Sequence, residues 1–383
     1  MPALVDWYLE CSHCSASREA DGLPTVCDQC GKPWLVRYRN RLHPFTERDR
    51  PGGPGMWGFR SFLPLVAGEE PLSLGEGRTP LLAAPRLATS LGLGTLWIKD
   101  EGTNPTGSFK ARGLCAAIHR AGRAGATAFT LPTAGNAGVA AAAYGARAGA
   151  SVRVYAPKTT PTPILTQIAA FGADLRLLDG HIGDCGKASR AYAAESGSLD
   201  LSTLREPYRI EGKKTMGLEL LEQLGWVFPD VIVYPTGGGT GLIGMWKVFG
   251  ELLEAGWVSG RPPRMVTVQS AGCAPVVRAF AAGLTECTAW SDPVTVASGL
   301  RVPGPLGDRL MLKALGDSGG AAIAVTDDEL VSAAAHGTRT EGIDFSPEGG
   351  AGLVAARQLA EQGLLQRHES VVVFNTGAGW LYR

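Results

Sequence analysis

Four glycine-rich turns, each following a short apolar run, constrain this chain more than any other feature. Leu96-Trp97-Ile98 leads towards Asn104-Pro105-Thr106-Gly107-Ser108-Phe109-Lys110-Ala111-Arg112-Gly113. Ala128-Phe129-Thr130-Leu131 leads into Thr133-Ala134-Gly135-Asn136-Ala137-Gly138. Val231-Ile232-Val233-Tyr234 runs into Pro235-Thr236-Gly237-Gly238-Gly239-Thr240-Gly241, and Val371-Val372-Val373-Phe374 into Asn375-Thr376-Gly377-Ala378-Gly379. Apolar runs without alternation mark strands covered on both faces, as in parallel sheets between helices. Residues 152–155 and 174–178 read as further strands, and helices are expected over 109–123, 136–148, 163–171 and 242–252. The alternation predicts an α/β fold with mainly parallel sheets in two lobes. In an open sheet of this kind, turns behind strands converge at the carboxyl edge, where ligands bind.

The turns account for much of an unusual composition. Glycine is 52 of 383 residues, with no collagen-like period. Lysine plus arginine equals aspartate plus glutamate, 36 against 36, so the net charge is zero. That excludes the broad basic surface of a nucleic-acid binder or a polybasic membrane-surface protein. Length suggests two to three domains at roughly 150 residues each. Residues 1–10 carry Asp6 and Glu10 and do not read as a signal peptide, and Arg147 interrupts the Ala-rich stretch before it reaches spanning length. A cytoplasmic protein is expected.

Cys11, Cys14, Cys27 and Cys30 form C-x2-C-x12-C-x2-C near the N-terminus. Two such pairs place four thiolates at tetrahedral corners, the geometry zinc prefers, although iron uses the same donors. Cys115, Cys185, Cys273 and Cys287 are scattered and read as ordinary thiols. The cysteine ribbon occupies residues 1–45. A linker-like stretch of 46–68 follows, with Pro51-Gly52-Gly53-Pro54-Gly55 as its turn cluster.

Each turn has a chemical reading beside a bland one. Gly237 to Gly241, between a strand and a helix, can aim several backbone N–H groups at one anion. It is neither a Walker loop nor G-x-G-x-x-G, and a tight turn needing only small residues would look similar. Lys110, partly desolvated at a helix start, would favour its free amine, a nucleophile for an aldehyde. A solvated surface lysine is the alternative. Thr133 to Ala137 suits a carboxylate, and Thr376 can offer a neutral hydroxyl to a ring nitrogen.

Together these segments, in this order over 74–383, resemble the fold-type II pyridoxal-phosphate enzymes, the tryptophan synthase β-subunit superfamily. The resemblance implies two interleaved three-layer α/β lobes. The large cofactor-binding domain would be 46–115 with 216–383, the small domain 116–215. It implies pyridoxal phosphate held by Lys110, with Phe109 beside it, and Gly237, Gly238, Gly239, Thr240 and Gly241 around the phosphate. Asn136 would face the cofactor's phenolic oxygen and Thr376 its pyridine nitrogen. Thr133, Ala134, Gly135, Asn136 and Ala137 would hold the carboxylate of a small amino-acid substrate. Lys110 would be the catalytic base, and the assembly a homodimer.

Within the superfamily, Leu74-Gly75-Glu76-Gly77-Arg78-Thr79-Pro80-Leu81, the 99–107 segment and Pro207-Tyr208-Arg209-Ile210-Glu211-Gly212-Lys213-Lys214-Thr215 resemble the threonine synthases. Ala111 departs from that group, which usually has an acid there. Gly237-Gly238-Gly239 is more similar to the threonine dehydratases than to an asparagine-bearing phosphate loop. Expectation therefore covers three reactions: O-phospho-L-homoserine to threonine, β-elimination of threonine or serine, and β-replacement on an O-activated serine. The first needs a second anion site, for which Lys213, Lys214, Arg112 and Arg301 are candidates.

Overall fold

The computed structural model describes residues 6–39 and 53–383. Residues 1–5 and 40–52, which include the end of the expected ribbon segment and the front of the expected linker with Pro51 and Gly52, lie outside the described residues. The described residues form three sheets. The first is an antiparallel ribbon of β1 (Trp7–Cys11), β2 (Ser17–Glu19) and β3 (Trp34–Tyr38), with β1 central. A segment this short buries too little to be stable alone. Its core of Leu9, Cys11, Cys27, Trp34 and Val36 is completed by Tyr208 from the main body.

The chain continues through β4 (Leu81–Ala83) and β5 (Thr95–Asp100) before leaving for a four-stranded parallel sheet. That sheet holds β6 (Ala128–Pro132), β7 (Ser151–Pro157), β8 (Asp174–Leu178) and β9 (Leu199–Asp200), in the order β8-β7-β6-β9. The chain then returns with β10 (Val231–Pro235), β11 (Arg264–Ser270), β12 (Ala321–Val325) and β13 (Ser370–Asn375). The large sheet runs β12-β11-β10-β13-β5-β4, parallel except for the edge strand β4. All of β10 is buried, as its unbroken apolar run requires.

Separate apolar cores cover the two faces of the large sheet, and a third fills the small lobe. Helix Lys110–Arg123 contributes Ala111, Leu114, Ala117 and Ile118 to the third core. The expected division after residue 115 falls inside this continuous helix. It crosses helix Tyr208–Gln223 almost backbone to backbone. A side chain on Gly212 would collide with the Arg112 carbonyl, and one on Gly113 would lie 2.6 Å from Cγ of Arg209.

Candidate active site

Topology brings the four glycine-rich turns together. The segments after β5, β13 and β10 leave three adjacent strands of the large sheet, and the turn after β6 faces them from the small lobe. The first two are laced by backbone hydrogen bonds. Phe109 N donates to Thr376 O at 3.0 Å and Ala378 N to Gly107 O at 2.8 Å. Lys110 and Thr376 are thereby fixed on one wall. The cleft between the lobes is lined by Phe109 and Lys110, by Thr133 to Ala137, by Gly237 to Gly241 and by Thr376. All the residues expected to bind cofactor or substrate meet there.

Lys110 opens helix Lys110–Arg123, with its Nζ 3.8 Å from the Phe109 ring centroid. Burial pulls its amine down to about 7, Arg209 pushes the same way, and the Glu348 carboxylate opposes. Among the described residues no carboxylate pairs with it directly. A substantial free-amine fraction at neutral pH follows.

The Gly237–Gly241 turn ends at the N-terminus of helix Thr240–Glu254. Gly239 caps it with φ +79°, a left-handed conformation that a side chain would strain. Side chains at 237, 239 and 241 would strike the Gly299 carbonyl, Met311 and the Tyr234 hydroxyl respectively. Bare backbone and the positive end of the helix dipole therefore lie at the cleft, an arrangement that suits an anion.

The cleft is also lined by Glu348 and Tyr382, residues that sequence reasoning missed. Glu348 Oε1 accepts from Gly299 N at 2.8 Å and from the Tyr382 hydroxyl at 2.9 Å. That hydroxyl accepts from Asn136 Nδ2 at 3.3 Å. Burial pushes the Glu348 carboxyl up. Among the described residues Asn136 Oδ1, Ser298 Oγ and Glu348 Oε2 are buried without a hydrogen-bond partner, and all three residues line the cleft. Orphaned buried polar atoms cost free energy unless something satisfies them. Here they, the glycine turn at the helix N-terminus and the depressed lysine together fit pyridoxal phosphate. The Ser346-Pro347 start of helix Pro347–Glu361 is the local signal that could have flagged Glu348. Tyr382 has none.

Of the four anion-site candidates, only Arg301 lines the cleft. Arg112 is saturated, reaching Glu101 at 2.7 Å and Glu219 at 2.7 Å with no exposed side-chain surface. Lys214 is committed to Glu211 at 2.6 Å and Glu251 at 3.0 Å. Lys213 donates to the Phe109 carbonyl. Arg209, not foreseen, lines the cleft and is held by Glu206 at 3.2 Å.

The four N-terminal cysteines converge, with ligand atoms all within 4.8 Å of one another. Cys11 and Cys30 sulfurs are 3.4 Å apart, Cys14 and Cys27 3.6 Å, and Cys14 and Cys30 3.7 Å. Tetrahedral zinc with bonds of about 2.3 Å sets sulfurs about 3.8 Å apart, so the cluster fits a metal. His13 presents its backbone N–H to Cys11 Sγ at 3.4 Å.

Comparisons with known proteins follow the same lines. The family described as pyridoxal-phosphate dependent enzyme matches residues 72–377. The threonine synthase of Methanosarcina acetivorans is 32% identical over 373 residues, 97% of this chain and 91% of that protein. That of Mycobacterium leprae is 35% identical over 322 residues, 84% of this chain and 86% of its own length. Among solved structures, maize serine racemase superposes with a TM-score of 0.68 at 22% identity, covering 79% of this chain and 88% of its own. The processed form of threonine deaminase isoform 2 from Solanum lycopersicum gives 0.67 at 21% identity, covering 78% and 83%. At these identities the solved structures bear on the fold alone.

Proposed function

The chain belongs to the pyridoxal-phosphate-dependent enzyme family, and from that premise we propose that it is a threonine synthase, converting O-phospho-L-homoserine and water into L-threonine and phosphate. The observation that carries the reading is likeness to threonine synthases over nearly the whole chain, a span too long to omit the ribbon.

When bound, pyridoxal phosphate supplies an aldehyde for an amine and a ring that draws electrons from the substrate's Cα. Lys110 would be the amine that holds that aldehyde, and its free amine would be the base for the Cα proton. First-turn N–H groups of helix Thr240–Glu254, with Gly237 and Gly238, hold the cofactor phosphate. Asn136 would place its side-chain amide beside the ring hydroxyl. Thr376 would offer the ring nitrogen a neutral hydroxyl, which gives no charge to hold a proton there and so would favour elimination and replacement over transamination. The start of helix Asn136–Arg147, with Thr133, Ala134, Gly135 and Ala137, takes the substrate carboxylate. Arg209 and Arg301 are the cleft cations available to the substrate phosphate.

Incubated with O-phosphohomoserine, the holoenzyme is expected to release phosphate and threonine in equal amounts. Neither product, or phosphate alone, contradicts the proposal. The three-glycine loop favours a second reading, β-elimination, which predicts ammonia release from threonine or serine instead.

We extend the proposal to the interleaved domain division, with helix Lys110–Arg123 at the seam, and to a structural zinc on Cys11, Cys14, Cys27 and Cys30. Elemental analysis should find about one zinc per chain, lost in Cys27→Ser. A homodimer and a cytoplasmic setting complete the reading. Sedimentation tests the first. Cell fractionation tests the second; no helix of the described residues is long and apolar enough to cross a membrane.

A further inference from the structure

Helix Tyr208–Gln223 has two working faces. Tyr208, Glu211 and Lys214, spaced three residues apart, face the ribbon, while Arg209, Gly212 and Lys213 face the helix that begins at Lys110. On the ribbon side, Tyr208 joins Leu9, Trp34 and Val36 in one apolar cluster. The Tyr38 hydroxyl, from the end of β3, donates to Glu211 Oε2 at 2.5 Å and accepts from Lys214 Nζ at 3.0 Å. The Lys214 ammonium also lies 4.3 Å from the Tyr38 ring centroid.

On the other side, Arg209 lines the cleft. Lys213 donates to the carbonyl of Phe109, the N-cap of the Lys110 helix. Its Nζ is 3.9 Å from the Phe109 ring centroid, and Lys110 Nζ is 3.8 Å from the same centroid. The stems of Arg209 and Lys213 fill the space left by the absent side chain of Gly113, at 2.6 and 2.7 Å from its ideal Cβ. A helix packed this closely moves as a rod, so a small roll fixed at one face is felt at the other.

We propose that the N-terminal ribbon is a positioning element for the cleft. Through Tyr38 and Tyr208 it fixes the roll of helix Tyr208–Gln223, and thereby holds Arg209 and Lys213 against Lys110 and its Phe109 platform. The inference rests on the proposed function only in taking Lys110 as the cofactor lysine. The titratable groups facing that lysine are Arg209 and Lys213 from this helix, the Lys213 amine itself held well below its usual range by burial, and Glu348 from helix Pro347–Glu361, so the standing positive charge beside it is Arg209. Loosening the helix withdraws positive charge and leaves Glu348 in place, so the lysine's titration should move upward.

The test uses the full chain freed of cofactor. Capture of added pyridoxal phosphate on Lys110 is followed against pH by borohydride reduction and peptide mapping. Tyr38→Phe keeps the ring and removes the hydroxyl. It should raise the capture midpoint by about half a pH unit and increase hydrogen exchange over residues 208–223, with the cysteine metal retained. Leu9→Ala, which opens the other contact, should shift the midpoint in the same direction. Arg37→Ala cuts only the Arg37–Glu10 pair at 2.9 Å inside the ribbon and should leave it unchanged. Unchanged midpoints in both Tyr38→Phe and Leu9→Ala, or an equal shift in Arg37→Ala, overturn the proposal. No phosphohomoserine is involved, so the outcome is independent of the assigned reaction. Failure of the unmodified chain to capture cofactor on Lys110 would instead refute the cofactor-lysine assignment.

Discussion

Lys110 and Arg112 stand two residues apart on one helix, and protein surrounds both charged groups, yet their surroundings prepare them for opposite tasks. Arg112 is matched to Glu101 and Glu219, which take four of its N–H groups, with Thr215 accepting the fifth at 3.0 Å and the Thr79 hydroxyl 3.1 Å from Nη2. Those carboxylates hold its charge permanently and raise its pKa. Lys110 has an aromatic face, a repelling Arg209 and, with no carboxylate paired to it among the described residues, the opposing field of Glu348. Burial with full pairing makes a structural cation, whereas burial with partners withheld makes a reactive amine.

The contrast can be broken in several ways. Lys110→Ala should lower threonine formation by more than about 10³-fold, since the nucleophile and base disappear. Its thermal midpoint should stay within about 2 °C of the parent, because no ion pair is lost. Arg112→Leu should do the reverse. Leaving Glu101 and Glu219 buried without their shared cation should cost about 3–5 kcal/mol in urea unfolding. In Gly239→Ala the added Cβ meets Met311 in a left-handed conformation. Its strain of about 1–3 kcal/mol should appear as a roughly 10–100-fold weaker affinity for pyridoxal phosphate, read by absorbance titration. The smallest effect is the titration itself. Because the Lys110 amine is depressed to about 7, its free form is lost as pH falls. Capture of an aldehyde should level off above that pH and drop about tenfold per unit well below it.

The two residues also differ in how visible they were in the sequence. Lys110 sits in a glycine turn between a strand and a helix, and the turns at Gly237, Asn136 and Thr376 carry the same local signature. The four cysteines are legible through spacing alone. Arg112 reads locally as a free cation and was a candidate anion ligand. Its partner Glu219 lies 107 residues away, and nothing near Arg112 announces it. Glu348 and Tyr382 reach the cleft through tertiary packing in the same way. Strand β11 was hidden by buried polar residues that break its apolar run. Thr267 pairs with the Thr236 hydroxyl at 2.9 Å, and Gln269 donates to the Thr236 carbonyl at 3.2 Å. Alanines at 321, 322 and 324 left β12 without a strand signal.

Borohydride reduction of the cofactor-loaded protein, followed by peptide mapping of every lysine, tests the central claim most directly. The pyridoxyl label is expected on Lys110 alone, with the buried Lys99, Lys213 and Lys214 unmodified. A label on any of those three, or a protein that takes up cofactor and leaves Lys110 unlabelled, would contradict it.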